Sequence, residues 1–281
     1  MLGTQVEMVD PRAGDVEVFD LAVEYFPGMP YIPATAPFHY GLTREHGDHF
    51  LADGLSSSAD QIVMNLHSGT HIDAFCHYAR HGKLFGDLDA NPEQAKWRGY
   101  CNHGIHTVAP IVRSGVLLDV AASEGMKRLP RNTPIDAAML ERAQARSGTV
   151  VQGGDVVLVR TGDIQDWPAE KFYDPSSGVP GLDLDGARWL SDRRVFLVGS
   201  DNFAIEHLPA TSSGRRAAAM PVHGHLLVDK GIYLLEVMNL EELSAAGCHR
   251  FTFVALPLKI RGATGSPVRP IAIRESVVGR G

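Results

Sequence analysis

The sequence has only three cysteines, Cys76, Cys101 and Cys248, and none of them forms a CxxC pair. No disulfide framework is therefore predicted, which suits a reducing compartment. No apolar run approaches the roughly 20 residues that a membrane span needs, and no basic segment followed by an apolar one opens the chain. We expect a cytoplasmic protein that does not use a membrane as a partner.

Blocks of positive charge are also missing. The 26 Lys and Arg residues are outnumbered by 33 Asp and Glu residues, and the formal net charge is −7. This balance is not typical of proteins that bind nucleic acid. With 281 residues, 44% of them hydrophobic and 21% charged, the composition is that of a globular protein. We expect a single domain over 1–281, with residues 1–16 as a loosely packed lead-in.

Metal-ligating side chains are concentrated in the stretch HSGTHIDAFCH, residues 67–77. It holds His67, His71, Asp73 and His77, which are residue types that zinc and manganese accept as ligands. The chain has 13 histidines, and any one of them alone would more often be structural. Four ligand-type residues in one register indicate a metal site.

The spacing of these residues requires a bend. A helix would turn Asp73 away from His71, and Gly69 disfavours a helix. A straight strand would separate His67 from His77 by roughly 33 Å, too far to share one ion. We therefore predict a bend at Gly69 that lets the first three ligand candidates converge and leaves His77 slightly apart. The four ligand candidates have odd residue numbers, so in an extended segment their side chains point to one side. Cys76 has an even number and points to the other side, and we predict that it is a small buried residue.

The stretch resembles the signature of the metal-dependent cyclase and hydrolase family, to which bacterial kynurenine formamidases and isatin hydrolases belong. The signature is His-x-Gly-Thr-His-x-Asp, three further residues and His, and every fixed position is present. Phe75 stands where the formamidases usually have Pro, and Ile32 stands where they place a Trp. The closing segment GATGSPVRPIAI also resembles the larger bacterial members, so the resemblance runs from about Phe19 to Ile273.

The resemblance adds two ligand candidates, His223 and Glu236. Family members carry a His followed thirteen residues later by a Glu that ends a strand, and this chain has the same spacing. His225 competes with His223 but lies only eleven residues from Glu236. Independently of the family, Glu236 ends an apolar run, where a buried carboxylate is costly unless a cation or donor accompanies it.

These features together predict a metal-dependent hydrolase that uses one or two divalent ions, zinc or manganese. Metal-activated hydroxide would be the nucleophile, and His77 would be the general acid or base. The resemblance directs the reaction to the C–N bond of a small cyclic amide, imide, lactam or N-formyl amide. Lactone hydrolysis, metal-assisted cyclisation or dehydration, and non-catalytic binding of a metal or small molecule remain alternatives.

The remaining pattern predicts a mixed α/β fold. Thr133 caps a predicted helix that ends at Gly148, and 154–162 is predicted as a strand buried on both faces. A helix over 184–193 and a strand over 195–198 follow, and Asp201 is a candidate hydrogen-bond partner for a ligand histidine. Further strands are expected at 16–25, 59–66 and 250–260, with two more between 105 and 120. The resemblance implies a swivelling β/β/α domain that forms a homo-oligomer, a dimer or tetramer.

Overall fold

The computed structural model describes residues 16–32, 35–95, 98–210 and 219–275. The strands are β1 (Val16–Asp20), β2 (His39–Arg44), β3 (Ala59–Val63), β4 (His71–Asp73), β5 (Gln94–Ala95), β6 (Gly99–Tyr100), β7 (Ile111–Asp119), β8 (Pro134–Ile135), β9 (Val156–Arg160), β10 (Gly181–Leu182), β11 (Leu197–Ser200), β12 (Tyr233–Glu236), β13 (Arg250–Ala255), β14 (Gly265–Pro267) and β15 (Ile271–Glu275). Of the predicted lead-in, only Val16 lies among the described residues, and it begins β1.

The helices are α1 (Ala90–Glu93), α2 (Val120–Ser123), α3 (Ala137–Ser147), α4 (Leu184–Asp192), α5 (Pro221–His223) and α6 (Glu241–Ala245). Helix α5 continues directly into a π-helical segment, Gly224–Asp229. Short 3-10 turns lie at Phe85–Asp87, Ile105–Thr107, Asp163–Asp166 and Glu170–Tyr173. Within the described ranges, no helix is long and apolar enough to cross a membrane.

A nine-stranded sheet organises the chain, in the order β1-β15-β13-β7-β9-β11-β12-β4-β14. The neighbours β7, β9, β11 and β12 are parallel, and the strands outside them pair antiparallel. Strands β2 and β3 form a separate antiparallel hairpin. The predicted mixed α/β class is therefore confirmed.

Strand β9 lies in the middle of the sheet, and its side chains alternate between two cores. Val157 and Val159 pack with residues of α3 and α4, whereas Val156 and Leu158 pack on the opposite face with residues of β13. A parallel strand covered on both faces reads as a continuous apolar run, so the prediction of a doubly buried strand is confirmed.

Helix α3 begins later than predicted. Asp136 is its N-cap and accepts a hydrogen bond from the Met139 N–H at 2.9 Å. Thr133 does not cap the helix, because its hydroxyl donates to the Pro130 carbonyl and the next two residues extend as β8 alongside β10. The predicted end is confirmed, since Gly148 adopts a left-handed φ of 66°.

Other predicted boundaries also need correction. The region 105–120 holds one strand, β7, preceded by a 3-10 turn at Ile105–Thr107, rather than two strands. Strand β1 ends at Asp20, β3 ends at Val63 and pairs with β2, and β13 ends at Ala255. The strand predicted at 195–198 lies at Leu197–Ser200. Local apolar content indicated where strands occur, whereas pairing partners set where they end.

Candidate metal centre

The bend predicted at Gly69 is present. Gly69 has a φ of 60°, and β4 begins two residues later. A Cβ atom at this position would lie 2.5 Å from Cε1 of Tyr25. Only glycine meets both requirements, since it adopts positive φ freely and has no side chain to clash. The bend turns His67 back towards Asp73, and their Nδ1 and Oδ1 atoms lie 2.7 Å apart.

Strand pairing brings Glu236 to the same cluster. In the antiparallel ladder between β12 and β4, Glu236 lies directly opposite His71. Directly opposed residues point to the same face of a sheet, which places both side chains together. His71 Nε2 lies 3.4 Å from Glu236 Oε2 and 3.6 Å from Asp73 Oδ1.

His223 reaches the cluster from α5. Its Nε2 atom lies 3.2 Å from Glu236 Oε1 and 3.9 Å from Asp73 Oδ2. Two groups of possible ligands result, and in each of them the ligand atoms lie within 4.8 Å of one another. They are His67, His71 and Asp73 in the first group, and Asp73, His223 and Glu236 in the second. The five predicted ligands are thus brought together, with Asp73 common to both groups.

The chemistry of Asp73 fits a divalent cation. Its Oδ2 atom is buried, and no hydrogen-bond partner reaches it from the described part of the chain. Burial raises the pKa of Asp73, but the nearby His77, His67 and His71 outweigh that effect and hold the pKa well below its usual range. A buried anionic oxygen without a donor is costly unless a cation accompanies it. Mixed imidazole and carboxylate ligands suit zinc and manganese.

Hydrogen bonds on the far side orient two of the histidine rings. His71 Nδ1 donates to the Gly69 carbonyl at 2.8 Å, so its Nε2 atom faces the cluster. Behind His223, Nδ1 lies 2.5 Å from Oε1 of Glu206, which leaves Nε2 facing Glu236. Such partners fix the tautomer and orientation of metal-binding histidines.

Glu206 was not identified from the sequence, and the predicted partner of a ligand histidine, Asp201, does not contact one in the described hydrogen bonds. Asp201 instead accepts hydrogen bonds from the Thr161 N–H at 2.8 Å, the Thr161 hydroxyl at 2.7 Å and the Gly162 N–H at 2.6 Å. The Asp201 carboxylate therefore faces the loop after β9 and not the histidine cluster. Glu206 carried the same signal as Glu236, a carboxylate next to apolar residues that proves to be buried.

The negative charges of Glu206 and Glu236 strongly favour a positive charge on the His223 ring. Burial lowers the pKa of His223, but the hydrogen bonds to Glu206 and Glu236 outweigh burial and raise the pKa to about 10. Both carboxylates are buried with this ring, so little water screens their charge. Positive charge at Nε2, whether a proton or a metal ion, is therefore stabilised.

His77 lies next to both groups without belonging to either. Its Nε2 atom is 3.8 Å from Asp73 Oδ2, and 26% of its side chain is exposed. Burial lowers the pKa of His77 to about 3, against the opposing charge of Asp73. The ring is consequently neutral at pH 7.

Thr264 is a further neighbour that the sequence did not reveal. Its hydroxyl lies 2.9 Å from Nε2 of His67. The turn around it approaches so closely that a Cβ atom on Gly265 would lie 2.6 Å from Cε1 of His67. The closing segment that contains Thr264 and Gly265 therefore contributes to the wall of the site.

Three other residues that the sequence singled out, His225, Cys76 and Phe75, lie outside the two groups of possible ligands. His225 Nε2 is 2.9 Å from the Ser191 hydroxyl, which is outside the cluster. Cys76 is buried, its thiol contacts the Ala263 carbonyl at 3.7 Å, and burial raises its pKa to about 12. Phe75 stacks on Tyr233 with ring centroids 4.0 Å apart. These residues pack or support the fold around the site.

The central sheet carries a buried cluster of histidines and carboxylates that could hold a divalent metal ion. A model of the Cyclase family matches residues 19–207, and the chain belongs to that family.

Proteins of known structure and sequence show the same relationship. The chain is 28% identical over 243 residues to a kynurenine formamidase of Bacillus cytotoxicus, covering 85% of this chain and 88% of that protein. A crystal structure of a novel cyclase superposes with a TM-score of 0.81 at 29% identity, covering 92% and 88% of the two chains. Isatin hydrolase A of Ralstonia solanacearum superposes with a TM-score of 0.68 at 25% identity, covering 92% of each chain.

Proposed function

We propose that this chain hydrolyses the C–N bond of a small cyclic amide, imide, lactam or N-formyl amide in a metal-dependent reaction. The observation that carries the proposal is the buried Asp73 carboxylate, which has ligand-type atoms around it and one oxygen without a donor. The bond type is supported by the similarity to a kynurenine formamidase and an isatin hydrolase, both named for amide substrates.

Five residues would hold the metal: His67, His71, Asp73, His223 and Glu236. Their two groups, which share Asp73, offer ligand atoms for one or two ions, and the ligand set suits zinc or manganese. A divalent ion supplies Lewis-acid chemistry, which acidifies water and polarises a carbonyl. The chain itself contributes fixed ring orientations, through Gly69 and Glu206, and a buried environment that strengthens charge interactions.

His77 is proposed as the general acid and base. Its ring would take a proton at Nε2, the atom that faces Asp73, and return it to the leaving nitrogen. The ring is partly exposed, so a substrate can reach it. A ring outside the two ligand groups remains available for proton transfer while the ligands are occupied.

An apolar flank beside the metal loop suits a small aromatic or apolar amide. Tyr173 accepts a hydrogen bond from the Gly69 N–H at 3.2 Å and belongs to a buried cluster with Phe172 and Phe203. The half-buried side chains of Ile32 and Trp167 pack against that cluster. Ile32 occupies the position where the formamidases place a Trp, and Trp167 supplies an aromatic ring on the same cluster.

We also propose that the chain forms a homo-oligomer, a dimer or tetramer. One face of the hairpin of β2 and β3 exposes large apolar side chains, Tyr40 at 48%, Leu42 at 50% and Ile62 at 54%. A two-stranded hairpin is marginally stable by itself in water, and clustered exposed apolar side chains mark interaction surfaces. Contact with a second copy would bury them.

The decisive experiment combines metal analysis with turnover. Wild type is expected to hold one or two equivalents of zinc or manganese per chain and to hydrolyse isatin or an aryl formamide. His71→Ala should lose both the metal and the activity, whereas His225→Ala should keep them. Absence of metal after reconstitution would overturn the proposal. Full metal content without turnover on cyclic amides, formamides or lactones would favour a binding protein.

A further inference from the structure

Two β-branched residues beside the candidate metal centre have left-handed backbone conformations. Ile205 has a φ of 56° and Val237 has a φ of 55°. Such angles are rare for β-branched residues, and strain of this kind persists only where the surroundings impose it. Each strained residue adjoins a carboxylate, Glu206 or Glu236, and the two carboxylates contact opposite nitrogens of His223.

One buried residue contacts both strained turns. Asn202 is fully buried at the carboxyl end of β11. Its side-chain amide donates to the Pro180 carbonyl at 2.5 Å and to the Ile205 carbonyl at 3.4 Å, and its Oδ1 accepts from the Ala204 N–H at 3.3 Å. Its backbone carbonyl accepts from the Val237 N–H at 2.9 Å.

Glu206 directly follows the turn at Ile205, whose carbonyl also accepts a hydrogen bond from the Leu182 N–H at 3.0 Å. The Glu206 carboxylate accepts hydrogen bonds from the Val222 N–H at 3.3 Å and from the His223 N–H at 3.1 Å, in addition to its contact with Nδ1 of His223. If the turn at Ile205 relaxed, this buried carboxylate would shift, and the ring of His223 would lose the partner that orients Nε2 towards the cluster.

The second turn is held from the metal loop as well. The Thr70 hydroxyl donates to the Val237 carbonyl at 2.6 Å, next to His71. The side chain of Asn202 does not contact this turn, so substituting it should affect chiefly Glu206 and His223. The ligands on the other side, His67 and His71, have no contact with Asn202 among the described hydrogen bonds.

We propose that Asn202 is a positioning residue of the metal centre. Its side chain holds the strained turn at Ile205, and so keeps Glu206 against His223 and sets the metal affinity of the group formed by Asp73, His223 and Glu236. The inference rests on the proposed metal site and adds a residue that touches neither metal nor substrate.

The test is a zinc titration of the metal-free protein against a chromophoric chelator. Asn202→Leu keeps the branching and the number of side-chain heavy atoms but lacks the side-chain hydrogen bonds, and we expect at least tenfold weaker zinc affinity. The visible spectrum of the cobalt-substituted protein should change as well, because His223 is reoriented. If Asn202→Leu does not fold, Asn202→Asp keeps Oδ1 while losing both N–H donors, and the same direction of change is expected.

A matched pair of second substitutions separates positioning from general destabilisation. Adding Ile205→Gly to Asn202→Leu removes the steric penalty at positive φ, so the turn persists without the asparagine and most of the zinc affinity returns. Adding Ile205→Ala removes much of the same side chain but keeps a Cβ atom, and the affinity stays low. Equal affinities for the two double variants would overturn the inference.

The two proposals fail in different ways. Wild-type protein that binds no zinc or manganese would overturn the proposed function and this inference with it. Wild-type protein that binds zinc with an affinity equal to that of Asn202→Leu would overturn the inference alone.

Discussion

The imidazole of His77 lies nearly parallel to that of His67, with ring centroids 3.8 Å apart and planes inclined by 17°. The Tyr78 ring contacts His77 edge-on, with centroids 4.7 Å apart. His77 is therefore held by ring contacts, while Nε2 faces Asp73. A ring oriented in this way does not need a metal ion to position it.

Replacing His77 should separate proton transfer from metal binding. For His77→Gln we expect kcat to fall by about 10²–10⁴-fold, the usual contribution of a general acid or base. Metal content should stay at the wild-type level, since His77 is outside both ligand groups. Steady-state kinetics and elemental analysis of the same preparation measure the two effects.

The exposed His81 provides the control, and His81→Gln should leave both quantities unchanged. Loss of the metal in His77→Gln would make His77 a ligand. An unchanged kcat would exclude it from proton transfer.

Gly69→Ala should damage the metal loop more than a matched substitution elsewhere. The left-handed φ costs an L-residue roughly 1–2 kcal/mol. The new methyl group would also meet the Tyr25 ring, which adds roughly 1–3 kcal/mol. Denaturant unfolding and metal content should both fall.

Gly148→Ala is the matched control, because Gly148 has a φ of 66° and open space around its missing Cβ. Gly148→Ala should lose only the stability that the left-handed φ costs, and the protein should keep its metal. Equal effects of the two substitutions would mean that the contact with Tyr25 is unimportant.

Asp166 should make stability depend on pH below 4. The hydrogen bond from Arg128 lowers the pKa of Asp166 to about 2, from 3.8 for the free side chain. A lowered pKa in the folded state means that the stabilisation is present above pH ~4 and is lost as the pH falls towards 2. Because water partly screens the pair, the contribution is about 1 kcal/mol.

For Asp166→Asn we expect a lower free energy of unfolding at pH 7 and a difference from wild type that shrinks between pH 4 and pH 2. Urea denaturation across this range provides the measurement. A difference that is constant with pH would show that the carboxylate charge is not responsible.

Charged substitutions on the hairpin should dissociate the proposed oligomer. Leu42→Asp with Ile62→Asp places two carboxylates on the exposed apolar surface of β2 and β3. Light scattering is expected to show a dimer or tetramer for wild type and a smaller species for the variant. Val150→Asp, at a residue 63% exposed elsewhere, should leave the mass unchanged. A monomeric wild type would contradict the proposal.

Much of the metal loop follows from its local sequence. His67, Gly69, His71 and Asp73 are close along the chain, so their spacing and the conformational freedom of glycine are enough to predict a bend that brings them together. The continuous apolar run of β9 likewise required burial on both faces, whatever its neighbours. Short-range geometry constrains such features before any tertiary contact forms.

The residues that complete the site depended on tertiary structure. His223 and Glu236 were indicated by resemblance, but the antiparallel pairing of β12 with β4 brings Glu236 to the cluster, and α5 brings His223 to within 3.9 Å of Asp73. Periodicity along the chain carries no information about which strands pair.

Glu206 and Thr264 were missed for the same reason, since each meets its histidine through a long-range contact. Asp201 was predicted as a partner because it directly follows a strand, yet its carboxylate accepts hydrogen bonds from Thr161 and Gly162 instead. The sequence by itself therefore determined the ligand types and the bend that collects the first three. Only the folded sheet decided which distant carboxylates face them, because burial and strand pairing are properties of the whole chain.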